Sequence, residues 1–251
     1  MSTPQKIRCQ VKRIVNHGDH VYSVDLKPEL LLPSFKPGQF LHLALDDYDP
    51  SGFWPESRVF SMASSPQRRE SLRISYSVKG KFTTRMEKEL HEGKWIWIKM
   101  PYGEFVINDS TDVVLLAGGT GITAFAAFIE NLTPKFKHHV YLAYGARKRS
   151  LLIYRDLIEE KIRTVRMFCS YYFIEQPVTK KQKMQTTAQK EGVSVSEITG
   201  CINLGGFWEA ISEPQKATFY IAGPPMMNKT MINKLIGRGI KPECIKIDAW
   251  E

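Results

Sequence analysis

The sequence predicts a two-domain protein, in which an antiparallel β-barrel precedes an α/β domain built on a doubly wound parallel sheet. In the first hundred residues, short segments of alternating polar and apolar residues are separated by turn signals, a pattern typical of a barrel. Beyond residue 110, continuous apolar segments alternate with helical ones, as in a parallel sheet covered on both faces. The polar stretch 108–112 lies between these patterns, so the domains are predicted at 1–109 and 110–251.

The barrel strands follow from alternation around β-branched and aromatic residues, bounded by turns such as Pro37-Gly38. They are expected at 7–14, 21–26, 41–45, 58–63, 72–78 and 95–99. One helix is expected in this half, at 83–91, because Met86 and Leu90 share a face there.

In the second half, buried strands are expected at 113–117, 140–143, 165–170, 219–222 and 245–247, with helices at 124–132, 154–161 and 226–238. The polar segment 176–197 is expected to be a long excursion between sheet strands. It contains the densest group of cations, Lys180, Lys181, Lys183 and Lys190.

Composition excludes several classes of protein. No apolar run approaches the ~20 residues of a membrane helix, and the first residues have no apolar signal region, so we expect a cytoplasmic protein without membrane insertion. The four cysteines lie far apart, without iron–sulfur or zinc spacing, so no metal site is expected. The net charge of +9 accompanies no nucleic-acid-binding pattern, and suits an anionic cofactor or an acidic protein partner.

Two short runs in the barrel half carry residues suited to a phosphate and a planar ring. In Arg58-Val59-Phe60-Ser61, the guanidinium suits a phosphate, the aromatic ring can stack on a flat ligand, and the hydroxyl can hydrogen-bond a ring nitrogen. Gly80-Lys81-Phe82-Thr83-Thr84 begins the predicted helix, where free N–H groups favour an anion. Thr83 is expected to be the N-cap of that helix. Taken alone, the first run is better explained as an ordinary strand with one surface Arg, whereas the second can be both a helix cap and an anion site.

Two further runs lie at the ends of predicted strands of the second half. Gly118-Gly119-Thr120-Gly121-Ile122 follows a buried strand and opens a helix, as dinucleotide-binding loops do. The common version of that loop is accompanied by an acid at the end of the second strand, whereas Tyr144-Gly145-Ala146-Arg147 has none there. Ala222-Gly223-Pro224-Pro225-Met226 lies at the carboxyl end of a later strand, where open α/β sheets bind ligands.

In this order and across nearly the whole chain, the four runs resemble the ferredoxin–NADP(H) reductase-like superfamily of flavoproteins. The resemblance implies a barrel domain that binds FAD, a second domain that binds NAD(P)H, and no fused iron–sulfur domain. The family's flavin signature is Arg-x-Tyr-Ser, on which Arg58, Phe60 and Ser61 fall.

The resemblance implies a set of FAD contacts on the barrel. Arg58 would bind the pyrophosphate, Phe60 would stack on the isoalloxazine ring, and Ser61 would lie near flavin N5. Tyr76 and Ser77 would line the flavin or its ribityl chain. A second phosphate-binding turn is implied at Gly80, Lys81, Phe82, Thr83 and Thr84.

The second domain would hold the nicotinamide dinucleotide. Gly119, Thr120, Gly121 and Ile122 would form its loop, Tyr144, Gly145 and Arg147 would lie under its phosphates, and Gly223, Pro224, Pro225 and Met226 would flank the nicotinamide. Ser170 stands where NADPH-dependent relatives often have Ser-Arg at the end of the third strand, but Tyr171 follows it. This favours NADH, although Arg147 or the 180–183 lysines could supply a cation for a 2′-phosphate.

The chain departs from the family pattern at several positions. Phe60 replaces Tyr, which keeps the stacking and removes one hydroxyl. Ala222 replaces the Cys that lies near the nicotinamide C4, so Ala222→Cys is expected to raise the rate of hydride transfer. Near the C-terminus, Trp250 would either stack on the second face of the flavin or pack in the protein interior.

The predicted activity is that of a FAD-dependent NAD(P)H reductase. A hydride would pass from nicotinamide to flavin near Ser61, Ala222 and Trp250, and the electrons would leave to a separate ferredoxin, flavodoxin or oxygenase component of acidic charge. Two alternatives stay open: direct reduction of a small acceptor, such as free flavin, a quinone or a ferric chelate, and an electron-transfer subunit of a larger complex.

Overall fold

The computed structural model describes residues 3–176 and 195–248. Within these residues the chain divides into two compact units, one containing 3–107 and 123–128 and the other 108–122, 129–176 and 195–248. The domain boundary between 109 and 110 stays a proposal. No helix in the described ranges is both long and apolar enough to cross a membrane.

The first unit contains a nearly closed antiparallel barrel. Its strands are β1 (Gln5–Gly18), β2 (Val21–Pro28), β3 (Phe40–Ala44), β4 (Ser57–Ser61), β5 (Leu72–Ser77) and β6 (Trp95–Tyr102), in the sheet order β4-β3-β6-β1-β2-β5. Alternate residues of each strand point inward, so Ile7, Cys9, Ile96 and Ile98 are buried in the barrel core. The helix α1 (Lys81–Glu89) adds Phe82 and Met86 to the same core.

The second unit is built on a six-stranded parallel sheet. Its strands are β7 (Val113–Gly118), β8 (Val140–Ala146), β9 (Phe168–Ile174), β10 (Val195–Thr199), β11 (Thr218–Ala222) and β12 (Ile245–Asp248), in the order β10-β9-β8-β7-β11-β12. Within the described part of this unit, three helices of eight or more residues connect the strands: α2 (Thr123–Asn131), α3 (Arg155–Thr164) and α4 (Pro225–Ile236). From β7 the chain winds outward to β10 and then returns to β11 on the opposite side of β7. This change of direction creates a crevice at the carboxyl ends of β7 and β11, where open α/β sheets bind ligands.

The predicted fold class is confirmed, and two element predictions are wrong. The third strand of the second domain is Phe168–Ile174 rather than 165–170, because Val165 still ends the preceding helix. The expected polar excursion 176–197 overlaps β10, which begins at Val195 and pairs with β9 in parallel. The polar residues Ser196, Glu197 and Thr199 of β10 explain why the apolar pattern does not predict this strand.

Candidate functional site

The N-terminus of α1 provides an anion site on the barrel. Gly80 is the N-cap, and the Thr83 hydroxyl accepts hydrogen bonds from the backbone N–H groups of Lys79 and Gly80 at 2.9 and 3.1 Å. The prediction that Thr83 is itself the N-cap is therefore wrong, because it occupies the third helical position and closes the turn from inside. The N–H groups of the first helical turn, in Lys81 and Phe82, point out of the helix, where they suit an anion.

Arg58 brings a positive charge to this helix end. Its guanidinium lies 5.4 Å from the centre of the Phe82 ring, in a cation–π contact that joins β4 to α1. It also donates 2.9 Å to the Ser57 carbonyl and lies 3.3 Å from a Glu56 carboxylate oxygen. Arg58 is exposed, so both its charge and its remaining donors are accessible to a ligand. The donor set of this helix end therefore fits the pyrophosphate of a dinucleotide such as FAD.

The other residues predicted to contact the flavin are on β4 and β5. The Phe60 ring meets the Tyr76 ring edge to face, with centroids 6.2 Å apart, and both side chains are less than a tenth exposed. Burial raises the pKa of Tyr76 well above its usual value. Ser61 and Ser77 end their strands and are partly exposed, as are Thr83 and Thr84. Phe60 therefore belongs largely to the barrel core, and stacking on a flavin would use only the part of the ring that remains uncovered.

In the second unit, the glycine loop and the β11–α4 turn pack against each other. A Cβ on Gly121 would collide with the carbonyl oxygen of Ala222, and one on Gly118 would lie 2.6 Å from the Met227 sulfur and 2.9 Å from Pro224 Cδ. The two runs, about a hundred residues apart in sequence, are thus brought together because β7 and β11 pair in parallel. At Gly118 and Gly121 neighbouring protein atoms thus take the place of a side chain, and the predicted contact of Gly121 with a ligand stays a prediction.

Gly119 is the position of the loop that stays open. Its φ of +54° favours glycine, and nothing lies within 4 Å of the place a Cβ would take. Gly119, Thr120, Gly121 and Ile122 form a single turn of 3₁₀ helix before α2, with Gly119 exposed and Ile122 buried. A ligand can therefore approach the backbone at Gly119, which fits the phosphate-binding role proposed for the loop.

The β11–α4 turn exposes most of the residues predicted beside the nicotinamide. Pro224, Pro225 and Met226 are exposed, and 74% of the Met226 surface is accessible. Ala222, by contrast, is 1% exposed and sits at the end of β11 beside Ala117. A larger side chain at this position would have to enter the space between the two strands.

Two predicted residues, Tyr144 of β8 and Ser170 of β9, are buried rather than exposed at a strand end. Tyr144 is fully buried in the sheet, where its hydroxyl donates to the Leu151 carbonyl at 3.2 Å and burial raises its pKa. Ser170 is also fully buried and lies in the middle of β9, opposite Leu142, so its placement at a strand end is wrong. Gly145 and Arg147 do lie at the carboxyl end of β8, and Arg147 is exposed.

The true end of β9 exposes a residue that the sequence reasoning missed. Glu175 follows Ile174, is exposed, and its N–H donates to the Ala146 carbonyl at 3.1 Å. Its carboxylate is close enough to Cys201 to raise the pKa of that thiol, after the effect of partial desolvation. The acid absent from the end of β8 is thus supplied by the neighbouring strand. The sequence does not point to Glu175, because it predicts that the third strand ends at residue 170.

Several predicted residues have no described environment. Trp250 and the lysines of 180–190 lie outside the described residues. Within the described ranges no group of three or more His, Cys, Asp or Glu side chains is arranged to hold a metal ion, and all four cysteines are free thiols.

Comparisons with known proteins agree with this geometry. Residues 115–232 match the oxidoreductase NAD-binding domain family. The flavohemoprotein of Rhizobium meliloti is 26% identical over 215 residues, which cover 82% of this chain and 50% of that protein. The reductase component DmpP of a Pseudomonas phenol 2-monooxygenase is 28% identical over 158 residues, covering 61% and 43%. The sequence is therefore similar to those of ferredoxin reductase-like flavoproteins.

A solved structure extends the likeness over both units. The flavohem-like FAD/NAD-binding domain of nitric oxide dioxygenase from Vibrio cholerae has the same fold, with a TM-score of 0.76 and 16% identity, over 96% of this chain and 97% of that one. The predicted fold is confirmed, and the comparisons support the predicted family, the flavin-dependent NAD(P)H oxidoreductase class, and FAD and NAD(P)H as cofactors. The chain spans about half the length of the curated relatives named above. The contacts of individual residues with the cofactors stay predictions.

Proposed function

We propose that this chain is the FAD-dependent reductase of an electron-transfer pair, oxidising NADH and passing the electrons to a separate, acidic redox protein in the cytoplasm. The proposal rests on the presence, within one chain, of one site suited to FAD and another suited to a nicotinamide dinucleotide. One is the Arg58 and α1 anion site on the barrel, and the other is the glycine loop packed on the β11–α4 turn.

The residues have separate tasks in this proposal. The flavin, when bound, supplies the chemistry that converts a two-electron hydride donor into a source of single electrons. Arg58 and the first turn of α1 hold its pyrophosphate, while Ser61 and Ser77 offer hydroxyls at the ends of their strands. Gly119 admits the dinucleotide phosphates to the backbone of the loop. The chain's own contribution is thus binding and orientation rather than acid–base catalysis.

The preference for NADH rests on Glu175. A carboxylate at the carboxyl edge of the sheet can accept hydrogen bonds from ribose hydroxyls, and it repels the 2′-phosphate of NADPH. Arg147 is exposed at the end of the neighbouring strand, so the two charges compete for this part of the nucleotide. We propose that Glu175 has the greater influence on the nucleotide preference, because its backbone N–H is hydrogen-bonded to the Ala146 carbonyl.

The test is an anaerobic absorbance titration of the purified flavoprotein with NADH and NADPH in turn. We expect NADH to bleach the flavin at lower concentration than NADPH. Glu175→Ser is expected to improve the kcat/KM for NADPH relative to NADH by about tenfold, the scale of ~1.4 kcal/mol, whereas the exposed Glu243→Ser should change neither. A flavin that neither nucleotide bleaches would contradict the proposed reaction.

The flavohemoprotein relatives favour a second candidate acceptor. By analogy with those proteins, the electrons would go to a haem group rather than to an oxygenase component or ferredoxin. The two candidates differ in one measurement, because a haem acceptor predicts reduction of a haem protein by NADH in the presence of this chain and no reduction of an acidic iron–sulfur protein.

A further inference from the structure

The outward side of the barrel carries a group of cations and aromatic rings that the cofactor sites do not use. We call it the cation–aromatic face and define it by Lys6 and Arg8 of β1, Trp95, Trp97 and Lys99 of β6, and Tyr48 after β3. These strand residues alternate with the buried residues of the barrel core, so their side chains point away from it. Trp95 is 37% exposed, and Lys6 is exposed.

The charges of this face are arranged in rows across the strands. Lys6 pairs with Lys99 in the β1–β6 register, and Lys99 pairs with His42 in the β3–β6 register. The neighbouring Lys99 contributes to a lowered pKa of His42, after the larger effect of burial. Like charges placed directly opposite each other destabilise a sheet. An anionic partner on this face would relieve that repulsion.

Protein carboxylates do not balance these cations. Among the described residues, no ion pair involves Lys6, Arg8 or Lys99, whose contacts are instead with aromatic rings and hydroxyls. The outward positions of the paired β1 and β6 segments contain Gln10 but no acid. Asp47 and Asp49 flank Tyr48 in the sequence, so the positive charge of the face is concentrated on its β1 and β6 positions, where no acid stands.

The aromatic residues form a layer separate from the barrel core. The Arg8 guanidinium lies 4.7 Å from the Trp95 ring centre, and the Lys6 ammonium lies 4.2 Å from that of Tyr48. Trp97 meets Tyr48 edge to face at 5.4 Å. Trp, Tyr and Arg are the side chains enriched at the centres of protein–protein interfaces, whereas a solvated barrel face needs none of them.

We infer that the cation–aromatic face is the docking surface for the acidic redox protein, an inference that rests on the proposed function and assigns its partner a place. A single-stranded nucleic acid would need free aromatic faces for its bases. Here the Arg8 guanidinium already covers one face of Trp95, and the Lys6 ammonium is bound at the hydroxyl end of Tyr48. A protein surface rich in Asp and Glu needs only the charges and the apolar rims of the rings, which this face offers.

The test uses a fluorescent polyglutamate of about 20 residues as the acidic probe and oligothymidylate of about the same length as a competing polyanion, at low salt. Fluorescence anisotropy gives the Kd of each probe for the flavin-loaded protein. The variants are Lys6→Glu and Lys99→Glu, each of which places opposite charges across the β1–β6 pair and so should not unfold the barrel. Lys241→Glu, exposed on the second unit, makes the same change in net charge.

We expect Lys6→Glu and Lys99→Glu each to weaken polyglutamate binding by about tenfold and Lys241→Glu to weaken it less than twofold. Equal losses in all three variants, or no binding by the wild type, would overturn the inference. Tighter binding of oligothymidylate that the same two variants abolish would overturn it in favour of a nucleic-acid surface. Reduction of a neutral quinone by NADH, measured in parallel, tests the proposed function independently of this face.

Discussion

At the scale of single residues, Gly121 has the tightest packing constraint in the second unit. Its missing side chain leaves room for the Ala222 carbonyl, so the residue allows two segments of the protein to pack closely. Its predicted contact with the nucleotide stays a prediction.

Gly121→Ala is expected to lower the free energy of unfolding by about 1–3 kcal/mol, since the new Cβ forces the backbone of β11 away, and to weaken NADH binding. Thermal denaturation and nucleotide titration measure the two effects. Gly52→Ala is the matched control, because it lies outside both sites and the nearest atom to its Cβ position is 3.5 Å away. Equal behaviour of the two variants would contradict the packing argument.

Ala222 stands where the family usually has cysteine, and Ala222→Cys is expected to raise the rate of flavin reduction by NADH several-fold. The sulfur would add a contact near the reacting carbon of the nicotinamide. Stopped-flow absorbance under anaerobic conditions gives this rate, with Ala222→Ser as the control for size. Because Ala222 is 1% exposed, a lower rate in both variants would mean that the site is built around the smaller side chain.

At the scale of elements, the contact between β4 and α1 connects two runs that are separate in the sequence. Arg58 reaches the face of Phe82, whose ring is in turn part of the barrel core. The buried Phe82 ring thus holds the positive charge of Arg58 at the N-terminal end of α1. An ion site of this type is shared by a strand and a helix, and neither element forms it alone.

Arg58→Ala is expected to weaken FAD binding about tenfold to a hundredfold, because a charge-assisted bond to the pyrophosphate contributes ~1.5–3 kcal/mol. Flavin fluorescence quenching on titration of the flavin-free protein gives the dissociation constant. Arg13→Ala, exposed on β1, removes the same charge from a different strand and should leave the affinity unchanged. Retention of full affinity by Arg58→Ala would remove the pyrophosphate from this helix end.

At the scale of the whole molecule, the free energy of unfolding in acid depends on two barrel histidines, His17 and His20. Their pKa values are shifted in opposite directions. Burial, and then the charge of Arg73, lower the pKa of His17, whose ring is 2.8 Å from the Ser23 hydroxyl. A hydrogen bond to Glu87 raises the pKa of His20. The unfolded chain protonates His17 more readily than the folded one does, so this residue costs stability as the pH falls below about 6.5. His20 has the reverse effect and adds stability over the same range.

His17→Gln is therefore expected to reduce the loss of unfolding free energy between about pH 7.5 and 5.5, while His20→Gln should increase it. Urea denaturation at several pH values measures both variants against the wild type. The net charge of +9 grows further in acid, which adds a repulsion common to all three proteins. Parallel curves for the wild type and both variants would show that neither histidine controls the response.

The sequence predicts most of the architecture because its two periodicities are local. Alternation around Ile7 and continuous apolar runs such as Val113 to Gly118 both follow from what each strand buries. It does not predict that Gly121 meets Ala222, since this depends on which strands become neighbours. Nor does it predict the bounds of β9, because no residue in the local pattern marks where α3 ends and where the aromatic strand begins.

The packing of Gly121 on Ala222 also bears on the order in which a ribosome delivers the two sites. Every strand of the barrel sheet, together with Arg58 and α1, has been synthesised by residue 102. The glycine loop follows soon afterwards, but its support on β11 is made about a hundred residues later. A nascent chain that pauses before residue 218 therefore contains all residues of the anion site of the barrel. It still lacks β11, the strand on which the glycine loop packs. Protein synthesis would thus complete the proposed flavin site first and the proposed nucleotide site last.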